Sequence, residues 1–570
     1  MKKKSLEGFR TIGGMKHRYC LILFTIAILS CNESFSQQIR WYEGPRDLGV
    51  RDIVSTTDAG GYCIMGNLKN SHPEDLFHYD GFLVKTLLSG NVEWSKIYLP
   101  TEGERIRFFS ISDAPPGDVT KYAVVGMIKE EGTPHGQAWF MGVDGLGTPQ
   151  FSFRLGQEGT SDVFSSIDKI GGNNPGYIMA GHTTLDFDGF SGTKMLVTKT
   201  NSNGDIEVNT IIGAQNGNVY WGSSVTTTPD NEFVVVGHTT EVENFCTSEP
   251  LSGGVVAKLD EDLNILFTRT IAVEGIFSIF ENPMLSFVDV DVAENGNIAI
   301  LGRYQVLGAP TSSLHAVLIV LDTNGNVLLS KFYNVTSTLS KLQPRSITID
   351  DEFEEKVRYQ ILGEYGDSDR YPILFKVDEL GVPIWSNHYD GPFDIETSHG
   401  LESSAKSHAF VGSAQNLVGP FDKFHVTQTD DNGLSHTQCE GQVIIVGNDL
   451  DLCITSVAEQ VFFEQQEDTP LTTEEFQLTS SKCTPVALMP GEEFKIYPNP
   501  ASDYFMIETS YACTEISITL FDTNEPIDME YQKIGEYLYK IESGHLPKGI
   551  HIINISCNQE QSFSRQVIIE

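Results

Sequence analysis

Positive charge is scarce in this sequence: 38 Lys and Arg stand against 77 Asp and Glu, a formal net charge of −39 over 570 residues. The acidic residues are spread along the chain instead of gathered in one tail. Such a surface repels phosphate backbones and argues against a nucleic-acid partner. It suits divalent cations or simple solubility outside the cell. Long apolar runs are equally rare. Beyond the N-terminal stretch nothing is long and uninterrupted enough to span a bilayer, so a soluble mature chain without a transmembrane segment is expected. The signatures HExxH, GxSxG, Walker A and GxGxxG are missing, which removes the usual marks of metalloprotease, hydrolase-elbow and nucleotide chemistry. No CxxC pair or Cys/His cluster occurs, so a structural zinc site is not expected. No catalytic, cofactor-binding or metal residue is therefore assigned. Calcium alone has faint echoes, in Asp186 to Gly189 and Asp322 to Asn326. Neither stretch offers the six or more oxygens that calcium takes, and hairpin turns explain both.

What the chain has first is a targeting segment, residues 1–36. Lys16, His17 and Arg18 form a basic start, Tyr19 to Leu29 an apolar run, and Ser34 and Ser36 small positions before a cut ahead of Gln37. Cys31 offers a lipoprotein alternative that Leu29 fits poorly. An exported chain meets an oxidising compartment. There Cys513 and Cys557 can bridge one small C-terminal domain, and two of Cys439, Cys453 and Cys483 the region before it. Cys63, in an apolar strand, reads as a buried free thiol.

The fold is carried by a repeat of about sixty residues. An apolar strand ending in glycine recurs at Gly66, Gly126, Gly181, Gly237, Gly302, Gly363 and Gly412. Before each comes a strand and a turn; after it, a polar loop and a second hairpin such as FLVKTLLSGNVEW or VLIVLDTNGNVLL. Asn-Gly, Asp-Gly and Gly-Asn between short β-branched runs are the chemistry of tight hairpins. Each unit thus supplies four short antiparallel strands that must pack against neighbouring units. An all-β, seven-bladed β-propeller over residues 37–440 is expected, a linear stack being the alternative. The segment from Ile39 to Gly44 looks like a stray fourth strand that completes the last blade and closes the ring. The units resemble propeller-like repeats of secreted proteins of the Bacteroidetes, a likeness of architecture that implies no single activity. They lack the repeated turn of sialidase propellers and do not read as WD40 or kelch.

Residues 441–490 turn to Glu, Gln, Thr and Ser and are expected to be a linker with a strand or two near Val443 to Val446. From 491 to 570 the tail is expected to be a small β-sandwich. Tyr497, Pro498, Asn499, Pro500 and Asp503 of YPNPASD, then Leu546, Pro547, Lys548 and Gly549, resemble the type A sorting domain of type IX secretion. The Gly usual after Phe521-Asp522 is absent, and the chain ends in Glu570 instead of a basic residue. That resemblance implies secretion to the cell surface or the medium, with the secretion machinery and a sortase-like peptidase as partners.

Three side chains stand out at the level of the repeat. His182 and His238 occupy equivalent positions after the strand-ending glycine, where they can meet at a channel mouth, or simply inherit the repeat. The matched residues elsewhere are Asn67, Met127, Arg303, Glu364 and Ser413. Trp221 is a candidate for an exposed position, whereas Trp41, Trp94 and Trp385 share one repeat position and read as blade packing. The loops Asn67 to Asp80 and Thr239 to Gly253 are candidate ligand surfaces. The expected function is that of a non-catalytic propeller binding a polysaccharide or a surface protein. The alternative is a glycan hydrolase or lyase with carboxylates drawn from different blades.

Overall fold

The computed structural model describes residues 38–569 apart from connecting segments, the longest being 70–78, 185–191, 243–250, 274–281, 416–422 and 483–493. The targeting segment, Cys31, Cys439 and Cys483 lie outside the described residues. Every regular element among those described is a strand, and the chain divides into two compact units, 1–483 and 484–570.

The first unit is built from repeats of one four-stranded meander. In its first copy the strands are Asp47–Ser55, Tyr62–Lys69, Tyr79–Thr86 and Val92–Leu99. The middle strands have packing partners on both faces, so nearly all of Tyr79–Thr86 is buried. The fourth strand alternates buried and half-exposed positions, as a strand near the rim should. The last hairpin of most copies closes on an Asp or Asn whose side chain caps two backbone N–H groups. Asp144, Asn201, Asp260, Asp378 and Asp430 do this. Asp322 does the same with Asn324 and Asn326. These bonds, that from the Asn326 amide first, hold its carboxyl below the usual carboxylate range. Asp186 to Gly189 lies outside the described residues.

The innermost strands Asp47–Ser55, Glu104–Asp113, Val163–Ile170, Tyr220–Thr227, Asn282–Val292, Leu342–Asp350 and Asp394–Ser404 touch one another in succession, and the last touches the first. That circuit is a β-propeller. Gln38–Glu43 pairs with Lys423–Asp430, Trp41 opposite His425, so the chain's first described strand completes the sheet its last repeat began, as expected. Each innermost strand carries a bulge beside the residue that faces the repeat glycine, between Val50 and Asp52 in the first copy and Pro344 and Ser346 in the sixth. Contrary to the expectation from sequence, the second strand does not end at that glycine but runs on past it, to Lys69 in the first copy.

Two further expectations are corrected. The blades are not seven separate sheets: five stand alone, and residues 220–273 and 282–335 share one ten-stranded sheet. The strand Leu251–Leu259 reaches past the fourth copy to form a parallel bridge, Ser252 to Met284, with the innermost strand of the next. The isolated sheets also have five strands instead of four, because residues 440–482 are a belt and not a linker. After the last repeat the chain retraces the ring backwards. Glu440–Gln442 pairs with Pro383–Tyr389, Ile445–Asp449 with Val327–Val335, and Leu452–Thr455 with Ile265–Val273. Glu459–Phe463 pairs with Ile206–Gly213 and Glu467–Asp468 with Pro149–Leu155. Thr472–Glu475 then pairs with Val92–Leu99, and Thr479–Lys482 with the closing strand Gln38–Glu43. Every addition is antiparallel and covers the outer edge of a repeat.

The second unit holds two four-stranded sheets. One orders Phe494–Tyr497, Tyr504–Thr509, Leu538–Glu542 and Tyr531–Lys533; the other Glu525–Asp528, Ile516–Asp522, Gly549–Cys557 and Gln561–Ile569.

Candidate binding site around the propeller axis

The bulge of each innermost strand and the glycine of the second strand lie at one level of the ring, toward the end from which the loops between second and third strands depart. His182, Trp221 and His238, singled out from sequence, come together there. Trp221 faces His238 across the strand pair, with ring centroids 4.6 Å apart and stacked. His182, from the neighbouring sheet, meets the same indole edge-on at 6.4 Å. All three are half-buried. Burial lowers the His182 imidazole to about 4; burial, then the Arg303 and His182 charges, do the same for His238. Both rings are neutral at neutral pH and so are poorly suited to proton transfer there.

The matched residues in other copies show what else this position does. Asn67 donates to the Phe108 carbonyl at 2.9 Å and accepts from the Phe108 N–H at 2.7 Å. Ser413 accepts from the Val50 N–H at 2.9 Å. In these copies the residue after the glycine clasps the next innermost strand.

Four arginines at the same level were not legible as a group. Arg51 and Arg345 are the bulge residues of their strands, Arg107 precedes the bulge of its own, and Arg303 lies directly after its glycine. They come from four different repeats, yet Arg51 feels the charges of Arg107 and Arg345, and Arg303 that of Arg345. Burial first, and those like charges next, lower Arg51 to about 10. The Arg107 guanidinium lies over the rings of Tyr79 and Phe109 at 5.2 and 5.1 Å. Arg345 is held by Glu364, Nε to Oε1 at 2.9 Å and Nη2 to Oε2 at 3.2 Å. Among the described residues Arg51, Arg107 and Arg303 have no carboxylate partner. The sequence did hold a signal: Arg303 shares its repeat position with His182 and His238, and Arg51 shares its bulge with Arg345.

Carboxylates also line the axis, but they are engaged. Asp52 accepts from Ser110 Oγ and the Ile111 N–H on the next innermost strand at 2.9 and 3.1 Å. Asp289 accepts from Ser346 Oγ and the Ile347 N–H at 2.8 and 2.9 Å, and Asp291 from the Ile349 N–H at 2.8 Å. Asp168 accepts from the Thr227 N–H at 2.8 Å. These groups stitch the ring together. Burial raises all four, Asp52 and Asp291 to about 7.

A pH dependence follows. A carboxyl raised on folding binds its proton more tightly in the folded state, so its contribution to stability falls as pH climbs from about 4 through 7. The lowered histidines act oppositely, losing stability as pH falls from 6.5 through 4. Near pH 6.5 an unfolded imidazole is still half protonated, so the two effects oppose one another there and are separated by substitution. Measured against the unaltered chain, Asp52→Asn should gain in thermal midpoint from pH 5 to pH 8, as differential scanning calorimetry would read; a difference independent of pH would refute the assignment.

Elsewhere, Trp94 donates to the Gly145 carbonyl at 2.9 Å and Trp385 packs against Gly433, both at neighbouring hairpin turns. Cys63 is buried and forms no disulfide, as expected. Of the sorting motif, Tyr497 ends one strand and Gly549 begins another. Pro498, Asn499, Pro500, Asp503, Leu546, Pro547, Lys548 and Cys513 lie outside the described residues. Cys557 ends its strand opposite Ile516. Loop residues 70–78 and 243–250 are outside them as well.

Fold and tail together define an exported protein built on a β-propeller. The tail, residues 495–570, matches the family of secretion system C-terminal sorting domains, which indicates export by type IX secretion to the cell surface or the extracellular space. No curated protein matches the chain. Among solved structures, a protein of unknown function from Dyadobacter fermentans is similar at 10% identity and a TM-score of 0.36, covering 68% of this chain and 99% of its own. The plexin A4 extracellular region is similar at 7% identity and a TM-score of 0.36, over 92% of this chain and 67% of its own. No helix is long and apolar enough to cross a membrane among the described residues.

Proposed function

We propose that this chain is a non-catalytic binding module, displayed at the cell surface or released, whose propeller holds a polysaccharide or a surface protein. A cleavable signal peptide and removal of the tail by a sortase-like peptidase belong to the same reading. The observation that supports it is the character of the axial side chains. The imidazoles are neutral, the guanidiniums are fixed donors, and the carboxylates already accept backbone N–H groups. Such groups recognise a ligand without transferring protons to it.

The second reading, a glycan hydrolase or lyase, draws on Asp52 and Asp291, held near 7 where general acids and bases work. Incubating the full chain with a panel of polysaccharides, with and without calcium, tests both. Retention without new sugar ends is expected. Release of reducing or unsaturated ends would transfer the function to the axial carboxylates.

A further inference from the structure

A chain with a net charge of −39 concentrates unpaired positive charge at one level of one ring. Arg51 lies within reach of the Arg107 and Arg345 charges and Arg303 within reach of that of Arg345, all four beside a repeat glycine or bulge, and no carboxylate among the described residues pairs with Arg51, Arg107 or Arg303. Burying like charges together costs stability unless something of opposite charge arrives. Arginine is also the side chain best shaped to grip a planar oxyanion with two parallel N–H donors. The Arg107 Nε is buried without a hydrogen-bond partner among the described residues. The arrangement is graded: Glu364 fixes Arg345 on one side, and the His182–Trp221–His238 stack forms an uncharged wall on the other.

We infer that the collar formed by Arg51, Arg107 and Arg303, backed by Arg345, is a binding site for the carboxylate or sulfate groups of an acidic glycan. This inference rests on the reading of the propeller as a glycan binder and narrows it to one chemical class. Neutral sugars offer the guanidiniums nothing to neutralise. The surrounding acidic surface repels an anion at long range, so the site selects ligands able to place a negative group at the axis and discourages loose anionic coating.

The test is calorimetric titration of the full chain with an oligogalacturonate, a heparin-derived oligosaccharide and neutral maltohexaose. The expected result is binding of one or both acidic probes and not of maltohexaose, weakening as salt rises. Whichever acidic probe binds tells carboxylate from sulfate recognition. In the double variant Arg51→Gln/Arg303→Gln affinity should fall at least tenfold. The Lys pair at the same positions should restore part of it. Relieving buried repulsion should leave the thermal midpoint of the Gln pair unchanged or higher, whereas a merely structural role would lower it. Binding of maltohexaose, unaffected by the arginine variants, would overturn the inference while leaving the glycan-binding reading standing. Binding of no probe would overturn the inference and weaken that reading as well.

Discussion

A chain ending at residue 439 should fail to give a stable monomer, whereas one ending at residue 483 should fold. The belt supplies the outermost strand of the isolated sheets and of both halves of the double one. Without it, a row of unpaired N–H and C=O groups opens on the rim of every repeat, and exposed edges are templates for pairing between chains. Each ladder hydrogen bond is worth about 1 kcal/mol net. Ordering the belt costs about 1–2 kcal/mol per residue in backbone entropy. The net thermodynamic gain is therefore well below the gross count, and edge-to-edge association is the larger consequence of removal. The loss also reaches ring closure, because Thr479–Lys482 flanks the strand that completes the last sheet. Size-exclusion chromatography should show aggregates for the shorter chain and a monomer for the longer. A monomeric shorter chain with an unchanged melting midpoint would show the belt to be ornamental.

The second large effect concerns the glycines that first exposed the repeat. Gly237→Ala should destabilise the propeller by about 3 kcal/mol, near the upper end for an overpacked core site, whereas Gly302→Ala should cost clearly less. At Gly126, Gly181 and Gly237 an added methyl would overlap the backbone carbonyl oxygen of Arg107, Val163 and Trp221. A backbone atom in a ladder has little room to retreat. At Gly302 the nearest atoms are 3.2 Å away on the Phe287 ring and 3.4 Å away on Leu285, side chains that can shift. Urea denaturation of the two variants measures the difference. Equal losses would mean that the bulge opposite the glycine is not what demands it.

That glycine explains why so much of the ring was legible. The bulge presses a carbonyl against the middle of the second strand, so most copies need the same small residue, and the spacing of those residues counts the meanders. The Asp and Asn caps of the last hairpins were readable for a similar reason: each satisfies two backbone donors in a turn of fixed shape. The closing strand was legible because Trp41 sits where Trp94 and Trp385 sit. The belt was not. An edge strand with one neighbour and a solvated face needs neither apolar alternation nor β-branched runs, so the Thr, Glu and Ser of residues 472–482 look like a linker. Nor does composition reveal the long reach of Leu251–Leu259, which fuses two repeats into one sheet. Within the site, His182, Trp221 and His238 were found because two of them share a repeat position. Arg51 and Arg303 belong to the first and fifth repeats and share the neighbourhood of Arg345 only through the curvature of the ring.

The most direct test of the binding reading is a time course of sugar-end release from whichever polysaccharide retains the full chain. The account predicts no release above a protein-free control at any pH between 5 and 8. Sustained release that disappears in Asp52→Asn or Asp291→Asn, while retention persists, would contradict it and make the axial carboxylates catalytic.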